Sequence, residues 1–436
     1  MTTIDPTARA ALSRRALLKT LAGAGAVLAA RPAFATGAAA AGEALPPAFA
    51  ALTPLGARVR PIGAEEYRQR LATAQRLLGQ ATIGQQALVV APGSSLRYFT
   101  GIRWWLSERL LALALPRSGE PLLIVPAFEE GRLREQLPFP IEVRAWQEDE
   151  SPYALLAAAL ADRGVRAGTV GVDFAMPFAF YDRLRAAAPA LGFASGDPVT
   201  AGCRARKSVH ELELMRLACA ATCDVFRAVF ASLQPGMSQA DISQLVEAGF
   251  ARMQLNGEAL VLLGASAALP HGSSHPQSLR EGEVVLIDGG CSVEGYQSDV
   301  TRTGVLGAPA PKLARAYTVV REAQAAALEA ARAGRLTGSV DDAARAVITR
   351  AGFGSGYRLF THRLGHGIGL DGHEAPYLVH GSSTPLEPGM TFSNEPGIYV
   401  PGEYGMRCED DMVITIDGPA ELLTPRFQVS LERPLG

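Results

Sequence analysis

The sequence predicts a mixed α/β protein with an α/β domain over residues 61–202 and a second domain over residues 203–436. Helical and strand patterns alternate from Ala64 to Pro198, which is typical of an α/β domain. A charged segment, Arg204–Arg216, then leads into a long helix. Between Val284 and Asp411, apolar runs end in a single acid or imidazole, as strands do at a functional edge. The chain of 436 residues is long enough for two or three domains.

The first 35 residues have the pattern of an export signal. Arg14 and Arg15 precede a weakly apolar, alanine-rich stretch, and an A-x-A sequence ends at Ala35. A membrane anchor needs about 20 apolar residues, and the stretch between Lys19 and Arg31 is shorter. We therefore expect residues 1–35 to be a twin-arginine signal peptide that sends the protein to the periplasm or the exterior. No membrane span is expected in the mature protein.

Residues 36–60 include an Ala- and Gly-rich stretch, and we expect them to form a flexible leader. The α/β domain after this leader begins with a helix, and strands and further helices then alternate. The segments that carry these patterns are, in order, AEEYRQRLATAQRLL, ALVVA, LLALALPRSGEPLLIV, a charged helix near Glu129, IEVRAW, SPYALLAAALADRG, TVGVD and FYDRLRAAAP.

Helices are expected to continue in the second domain up to Asn256, with Ser238 as the N-cap of one of them. The segment ALVLLG is then expected to be a strand. The five cysteines are expected to be small buried apolar residues. Cys291 and Cys408, which flank acid-bearing strands, are the one pair whose contact needs to be checked.

Composition excludes some classes of partner. The chain has 48% apolar and 19% charged residues, as ordinary globular proteins do, and a formal net charge of -2. There is no polybasic run, so the sequence offers no positive field for nucleic acid or anionic lipid.

Five separated residues are the candidates for chemistry. Each lies at a predicted strand or strand end: Asp288, Asp299, His366, Glu395 and Glu409. Two unit charges about 4 Å apart repel by about 4 kcal/mol at an effective dielectric near 20, so four buried carboxylates converge only around cations. Oxygen ligands with one imidazole suit Mn, Co, Fe or Zn, and four acids can neutralise two divalent ions. Spacing alone leaves open that these are unrelated surface acids, because no local signature such as HExxH is present.

Five motifs, in the order IDGG, SDVTRT, GHGIGLDGHE, EPGIY and RxEDD, carry a family resemblance. Together with LRYFTGI in the first domain, they resemble the pita-bread metallopeptidases, which include aminopeptidase P, prolidase, methionine aminopeptidase and the metal-free creatinase. The resemblance extends from about Ala64 to about Thr424. It implies a creatinase/prolidase-type α/β N-terminal domain followed by an α+β pita-bread catalytic domain.

The resemblance also implies a two-metal site. Asp288 would hold one divalent ion, Asp299 and Glu409 would bridge both, and His366 with Glu395 would hold the other. Manganese is the foremost expectation, with Co, Zn or Fe as alternatives.

Further residues take roles by the same resemblance. His271 or His373 would stabilise the developing oxyanion, and Glu395 would both bind metal and shuttle a proton to the leaving nitrogen. His271, His362, His373 and Arg407 are the expected substrate-binding residues. Arg407, two residues before Glu409, would orient the bridging carboxylate or form an ordinary salt bridge.

The expected function is hydrolysis of peptide bonds next to proline, as an Xaa-Pro aminopeptidase or dipeptidase, by a hydroxide that bridges the two metals. A homodimer is also implied. Trp104 and Trp105 are expected to pack in the core or at an interface; the alternative is that they and Arg109 reach the substrate of the partner subunit.

Three other functions remain open on this scaffold. A creatinase-like C–N hydrolase without metal would lack the paired aspartates, which this chain keeps as Asp288 and Asp299. A metal-dependent lyase would carry an aspartate at the position of Gly290. A non-catalytic binding domain would not need five intact ligands or an export signal.

The expected length of the substrate follows from a stretch of the sequence that lacks Lys and Arg. A strict dipeptidase must bind the free carboxylate of its substrate, which arginine does best because its planar fork makes two hydrogen bonds. The sequence has no Lys or Arg from Leu364 to Met406, where some prolidases carry such an arginine, and His380 is a weak substitute. We therefore expect Xaa-Pro-Yaa peptides to be cleaved at least as well as Xaa-Pro, unless a cation such as the partner's Arg109 closes the cleft.

Overall fold

The computed structural model describes residues 44–436, and residues Pro46–Gly436 form one compact unit. The predicted signal peptide and the first part of the predicted leader lie outside the described residues. None of the helices within residues 44–436 combines the length and the apolar character that crossing a membrane requires.

A six-stranded mixed sheet forms the first half of the compact unit. The strand order is β4-β3-β2-β1-β5-β6, with β2 antiparallel to both of its neighbours and the other pairs parallel. The strands are β1 (Gln85–Val90), β2 (Ala112–Pro116), β3 (Leu122–Pro126), β4 (Glu142–Trp146), β5 (Gly168–Val172) and β6 (Leu191–Ser195). The helices are α1 (Ala64–Leu78), α2 (Ser94–Thr100), α3 (Glu130–Glu135), α4 (Pro152–Asp162), α5 (Phe178–Ala187) and α6 (Asp197–Arg204).

The predicted elements of this half are present, and three others were not predicted: helix α2, strand β6 and helix α6. Helix α2 has only seven residues. Strand β6 was missed because it is an edge strand with several exposed residues and no alternating pattern. Helix α6 was missed because it is only eight residues long. It ends at Arg204.

The expectation of a flexible leader needs correction for its last part. A short 3₁₀ helix spans Pro47–Ala51, and Phe49, Leu52 and Leu55 are buried in the core. Arg252 donates a hydrogen bond to the carbonyl of Leu52 at 3.1 Å. These three apolar side chains anchor the segment because their burial removes apolar surface from water.

The second half carries the remaining helices and three smaller sheets. The helices are α7 (Val209–Phe230), α8 (Gln239–Arg252), α9 (Pro311–Ala330) and α10 (Thr337–Arg350). The strands are β7 (Gly257–Leu263), β8 (Val284–Val293), β9 (Tyr296–Gln297), β10 (Val300–Val305), β11 (Gly365–Gly367), β12 (Glu374–Leu378), β13 (Thr391–Asn394), β14 (Gly397–Val400), β15 (Tyr404–Arg407), β16 (Asp410–Val413) and β17 (Glu421–Leu422).

All strand pairs of this half are antiparallel. One sheet has the order β10-β8-β7 with β9 paired to β8, the next has the order β12-β11-β13-β16-β17, and β14 pairs with β15. One apolar core runs from α1 and β1 into α7, α8 and β8, and a second lies between α9, α10 and the strands near the acids.

Local predictions for this half are confirmed. Ser238 caps α8 in a capping box with Asp241, and Ser208 caps α7 in the same way with Glu211. All five cysteines are buried and free, so Cys291 and Cys408 form no disulfide.

Candidate metal centre

Three of the four acids lie at gaps or ends of strands, and the fourth lies within a central strand. Asp288 lies within β8, opposite Thr301 of β10. Asp299 lies in the gap between β9 and β10, Glu395 directly follows β13, and Glu409 separates β15 from β16. A residue at such a gap turns away from the regular alternation, which allows acids from separate strands to face one point.

The structure brings all five predicted ligands together. Three overlapping groups have side-chain ligand atoms within 4.8 Å of one another: Asp288 with Asp299 and Glu409, His366 with Glu395 and Glu409, and Asp299 with His366 and His373. Asp299, Glu409 and His366 each belong to two groups, so the three groups share one space. The individual ligand roles remain predictions, but the arrangement can hold metal ions.

The pKa values show that the carboxylates repel one another. Burial raises the pKa of Asp299 well above its ordinary value, and the charge of Asp288 adds to this; burial and Asp299 do the same to Glu409. Burial raises the pKa of Glu395 to about 8. Burial alone would raise the pKa of Asp288 too, but the Arg407 guanidinium and the Thr301 hydroxyl hold it below its usual value. One arginine cannot balance four carboxylates, so the group fits divalent cations.

His366 provides the most specific test of this fit. Its Nδ1 is 3.2 Å from the Gly367 carbonyl oxygen and donates to it, which leaves Nε2 without a proton. Nε2 lies 3.4 Å from Oε1 of Glu395 and 3.7 Å from Oδ2 of Asp299. Burial, followed by His373, lowers the pKa of His366 to about 3. A nitrogen lone pair that faces two carboxylate oxygens is stabilised by a cation between them, and the Nδ1 bond is the usual way to orient a metal-binding imidazole.

Arg407 is buried beside the acids, and each of its three side-chain nitrogens donates to a protein group. It forms an ion pair with Asp288, and its Nε donates to the Thr301 hydroxyl at 3.2 Å. The Thr301 hydroxyl is 2.6 Å from both Asp288 and Glu409. Arg407 therefore orients Asp288 directly and the predicted bridging ligand Glu409 only through Thr301. These contacts favour its predicted orienting role over direct contact with substrate.

His362 is tied to the same network by a tyrosine. Its Nδ1 donates to the Arg363 carbonyl at 2.7 Å, and its Nε2 is 2.7 Å from the Tyr399 hydroxyl. Arg407 donates to that hydroxyl at 2.8 Å, so the hydroxyl proton is directed to His362. Burial, followed by Arg407, lowers the pKa of His362 to about 3. His362 is thus a neutral side chain 3.9 Å from Oε2 of Glu395.

The other two predicted histidines lie at the rim. The His373 ring stacks on the His366 ring with 3.7 Å between centroids, and the residue is exposed. Burial of part of the ring, followed by the charge of Arg363, lowers the pKa of His373. His271 lies in an exposed turn close enough for its charge to act on His362 and His373, but it joins none of the three groups. Its catalytic role remains a prediction.

The remaining histidines lie elsewhere. His210 pairs with Glu66 at 2.5 Å, His380 pairs with Asp342 at 2.6 Å, and His275 is exposed. None of the three belongs to the groups of potential ligands within residues 44–436.

Sequence reasoning missed three residues of the site. Thr301 and Tyr399 lie inside the motifs SDVTRT and EPGIY, but no role was predicted for them. Arg363 lies directly before Leu364, where the stretch without Lys or Arg begins. The position of Thr301 two residues after Asp299 in a strand was a usable signal. Nothing local indicates that the Tyr399 hydroxyl meets His362, because that contact spans 37 residues.

Two family profiles match the chain in succession. The profile described as Creatinase/Prolidase N-terminal domain matches residues 70–206, and that described as Metallopeptidase family M24 matches residues 213–416. This order confirms the predicted fold class; the predicted limits 61–202 and 203–436 remain predictions.

Similar proteins match over nearly their full length. "Probable dipeptidase PepE" of Mycobacterium tuberculosis is 38% identical over 364 residues, which cover 82% of this chain and 95% of the relative. The Xaa-Pro dipeptidase of Lactobacillus delbrueckii subsp. lactis is 34% identical, covering 77% and 92%. The crystal structure of dipeptidase PepE from Mycobacterium ulcerans superposes with a TM-score of 0.78 at 36% identity, covering 84% and 98%. The similarity therefore includes both halves of the chain.

Proposed function

This chain belongs to metallopeptidase family M24, and we propose that it is a two-metal hydrolase that cleaves peptide bonds next to proline. The observation that carries the proposal is the unprotonated Nε2 of His366, which faces Glu395 and Asp299 in a cluster of four buried or half-buried carboxylates. The Xaa-Pro dipeptidase among the relatives supports the specificity.

Five side chains would hold the ions: Asp288, Asp299, His366, Glu395 and Glu409. Two divalent cations bound there would supply an activated water and polarise the scissile carbonyl. Oxygen ligands with one imidazole favour manganese, with Co, Zn or Fe as alternatives.

Glu395 has the geometry for a second role. Its Oε1 faces His366 at 3.4 Å, whereas its Oε2 faces His362 at 3.9 Å. One oxygen can thus contribute to the ligand set while the other receives a proton and passes it to the leaving nitrogen. His373, which is exposed and stacks on His366, would donate to the oxygen that becomes negative in the transition state.

The lyase alternative has a steric obstacle. It requires an aspartate in place of Gly290, but a Cβ at that position would lie 1.9 Å from the carbonyl oxygen of Ser298. The backbone of β8 would have to move before any side chain fitted. The complete acid set likewise disfavours a metal-free C–N hydrolase and a non-catalytic binding domain.

Arg363 changes the expectation for substrate length. His366 and Tyr377 are paired residues of β11 and β12, so their side chains share one face of the sheet. The Arg363 guanidinium lies over the Tyr377 ring, 4.2 Å from its centroid, which places the cation on that face. Within residues 44–436 no acid forms a salt bridge with Arg363. A half-buried cation without an acidic partner beside the centre is suited to a substrate carboxylate.

The test is cleavage of Ala-Pro, Ala-Pro-Ala and Ala-Leu by manganese-loaded protein, before and after chelation. We expect chelator-sensitive cleavage of Ala-Pro and little of Ala-Leu. Because Arg363 offers two donors to a carboxylate, kcat/KM for Ala-Pro should exceed that for Ala-Pro-Ala by at least about tenfold, or 1.4 kcal/mol. Arg363→Met should remove this preference, whereas Arg350→Met, at the exposed end of α10, should not.

Two results would count against these proposals. Cleavage of Ala-Leu as fast as Ala-Pro would refute the proline specificity. Equal or faster cleavage of Ala-Pro-Ala by the unaltered protein would restore the expectation of an open cleft.

We also propose export by the twin-arginine route to the periplasm or exterior, supported by the Arg14-Arg15 pattern. Replacing both arginines with lysine should leave full-length protein in the cytoplasm, because the paired arginines are the recognised feature. Cell fractionation and N-terminal sequencing measure this. A mature N-terminus at Thr36 in the double variant would show that the general secretory route suffices.

A homodimer is a further proposal. Trp105 is 62% exposed and lies near the exposed Leu106, while Trp104 is buried and Arg132 lies over both indole rings. Exposed aromatic side chains of this kind are enriched in interfaces. Arg109 pairs with Glu148 within the chain, so it would have to leave that partner to reach a neighbouring site.

A further inference from the structure

A buried group of charges connects α6 to the loop that carries His373. We propose that this group, the ion clamp formed by Arg204, Lys207, Asp371 and Glu374, positions His373 at the metal centre. The inference rests on the proposed function, in which His373 contacts the reacting atoms.

The contacts of the ion clamp are direct. Nη2 of Arg204 donates to Asp371 and to Glu374, each at 2.5 Å. Nζ of Lys207 donates to the other oxygen of Glu374 at 2.6 Å. The hydroxyl of Ser94 donates to the second oxygen of Asp371. Both carboxylates are thus held through both of their oxygens.

Three of the four members of the ion clamp are buried, with Arg204 6% exposed, Lys207 8% and Glu374 8%. Asp371 is half-buried. Replacing buried ion pairs with apolar residues is often neutral or stabilising, so their retention is better explained by orientation than by stability. Two cations that converge on one short loop specify its position more narrowly than apolar packing would.

Apart from the ion clamp, the loop is held by backbone contacts: Glu374 pairs with Gly367 of β11, and the Gly369 N–H donates to the Asp371 carbonyl at 3.0 Å. None of these contacts reaches the His373 side chain. His373 lies between Asp371 and Glu374, and its ring has no hydrogen-bond partner among residues 44–436. A Cβ at Gly372 would meet nothing within 4 Å, so the loop is not packed on that side. The His373 ring rests on His366 by stacking alone. Its position therefore depends on the backbone on either side, which the two clamped carboxylates hold.

Through the ion clamp, residues of the first half of the chain help to position His373 in the second half. Ser94 belongs to α2, and Arg204 is the last residue of α6. Arg204 also donates to the Ser95 hydroxyl at 3.3 Å. A shift of α6 would move Asp371 and Glu374 together, and His373 with them.

The experiment is a double-mutant cycle between Arg204→Met and His373→Ala, with metal content matched. Because misplacement by about 1 Å can cost roughly 10²-fold, Arg204→Met should lower kcat by that order with little change in KM. In the His373→Ala background the same change should cost less than about threefold. Arg206→Met is the matched control, since Arg206 forms an exposed ion pair with Glu387. Equal losses in both backgrounds, or equal losses for Arg204→Met and Arg206→Met, would overturn the proposal.

Two additions keep the test decisive. Glu374→Gln keeps the shape of the clamp and replaces Arg204→Met in the cycle if that variant does not fold. In metal-free protein, the rate at which diethyl pyrocarbonate modifies His373, relative to the exposed His380, should change in Arg204→Met but not in Arg206→Met. An unchanged rate would overturn the ion clamp. Failure of the unaltered, metal-loaded protein to cleave Ala-Pro would instead refute the proposed function. The modification rate of His373 would then be the test of whether the ion clamp positions this residue.

Discussion

Asp299→Ala is expected to abolish metal-dependent peptide cleavage, with a loss of roughly 10³-fold or more. Asp299 belongs to two of the three groups of potential ligands, so its removal should weaken both ions. Elemental analysis of the purified variant should find less metal per chain than in the unaltered protein. Kinetics with Ala-Pro across a range of manganese concentrations measure the loss.

The control for this change is Asp342→Ala, which removes an exposed acid paired with His380. It should leave metal content and turnover unchanged. An Asp299→Ala protein with normal metal and normal turnover would contradict the role of Asp299. An unaltered protein that is active without metal and resists chelators would contradict the two-metal centre altogether.

The metal-free protein should respond to pH in a defined direction. Folding raises the pKa of Asp299 well above its ordinary value, by burial and then by repulsion from Asp288. The folded state therefore favours the protonated form of Asp299. The free energy of unfolding of the metal-free protein should fall as the pH rises above about 3.9, the ordinary pKa of an aspartate. Asp299→Ala removes this contribution, so its metal-free form should lose less stability over the same pH interval in thermal unfolding.

Glu395→Gln is the second substitution with a large expected effect. It keeps one oxygen towards His366 but removes the charge and the ability to accept a proton. General acid–base steps contribute roughly 10²- to 10⁴-fold, so kcat for Ala-Pro should fall by at least that factor. Single-turnover kinetics at matched metal content measure the effect.

The matched variant is Glu403→Gln, an exposed glutamate paired with Lys312. It should behave as the unaltered protein does. Retained turnover in Glu395→Gln with normal metal content would assign the proton transfer to another group, and His373 would be the next candidate.

Local sequence features predict helix α1 but not the packing of the leader segment or strand β6. Helix α1 spans the predicted segment AEEYRQRLATAQRLL, since its apolar spacing and its first-turn acids are local features. The predicted leader was wrong from residue 46 onward because local composition does not show that Phe49 finds a core position near α7 and α8. Strand β6 depends on the neighbouring strand β5 rather than on its own pattern.

The five candidate ligands were found in the sequence. Asp288, Asp299, His366, Glu395 and Glu409 each end or interrupt an apolar run, and the motifs that contain them, through their resemblance to the pita-bread metallopeptidases, identified the five as one set. The tertiary structure alone decided their partners: Arg407 pairs with Asp288, Tyr399 bonds to His362, and Arg204 reaches across 170 residues to Glu374. The physical reason is that a hydrogen bond or ion pair depends on distance and angle between side chains, and for residues far apart in the chain these are set by how the sheets and helices pack.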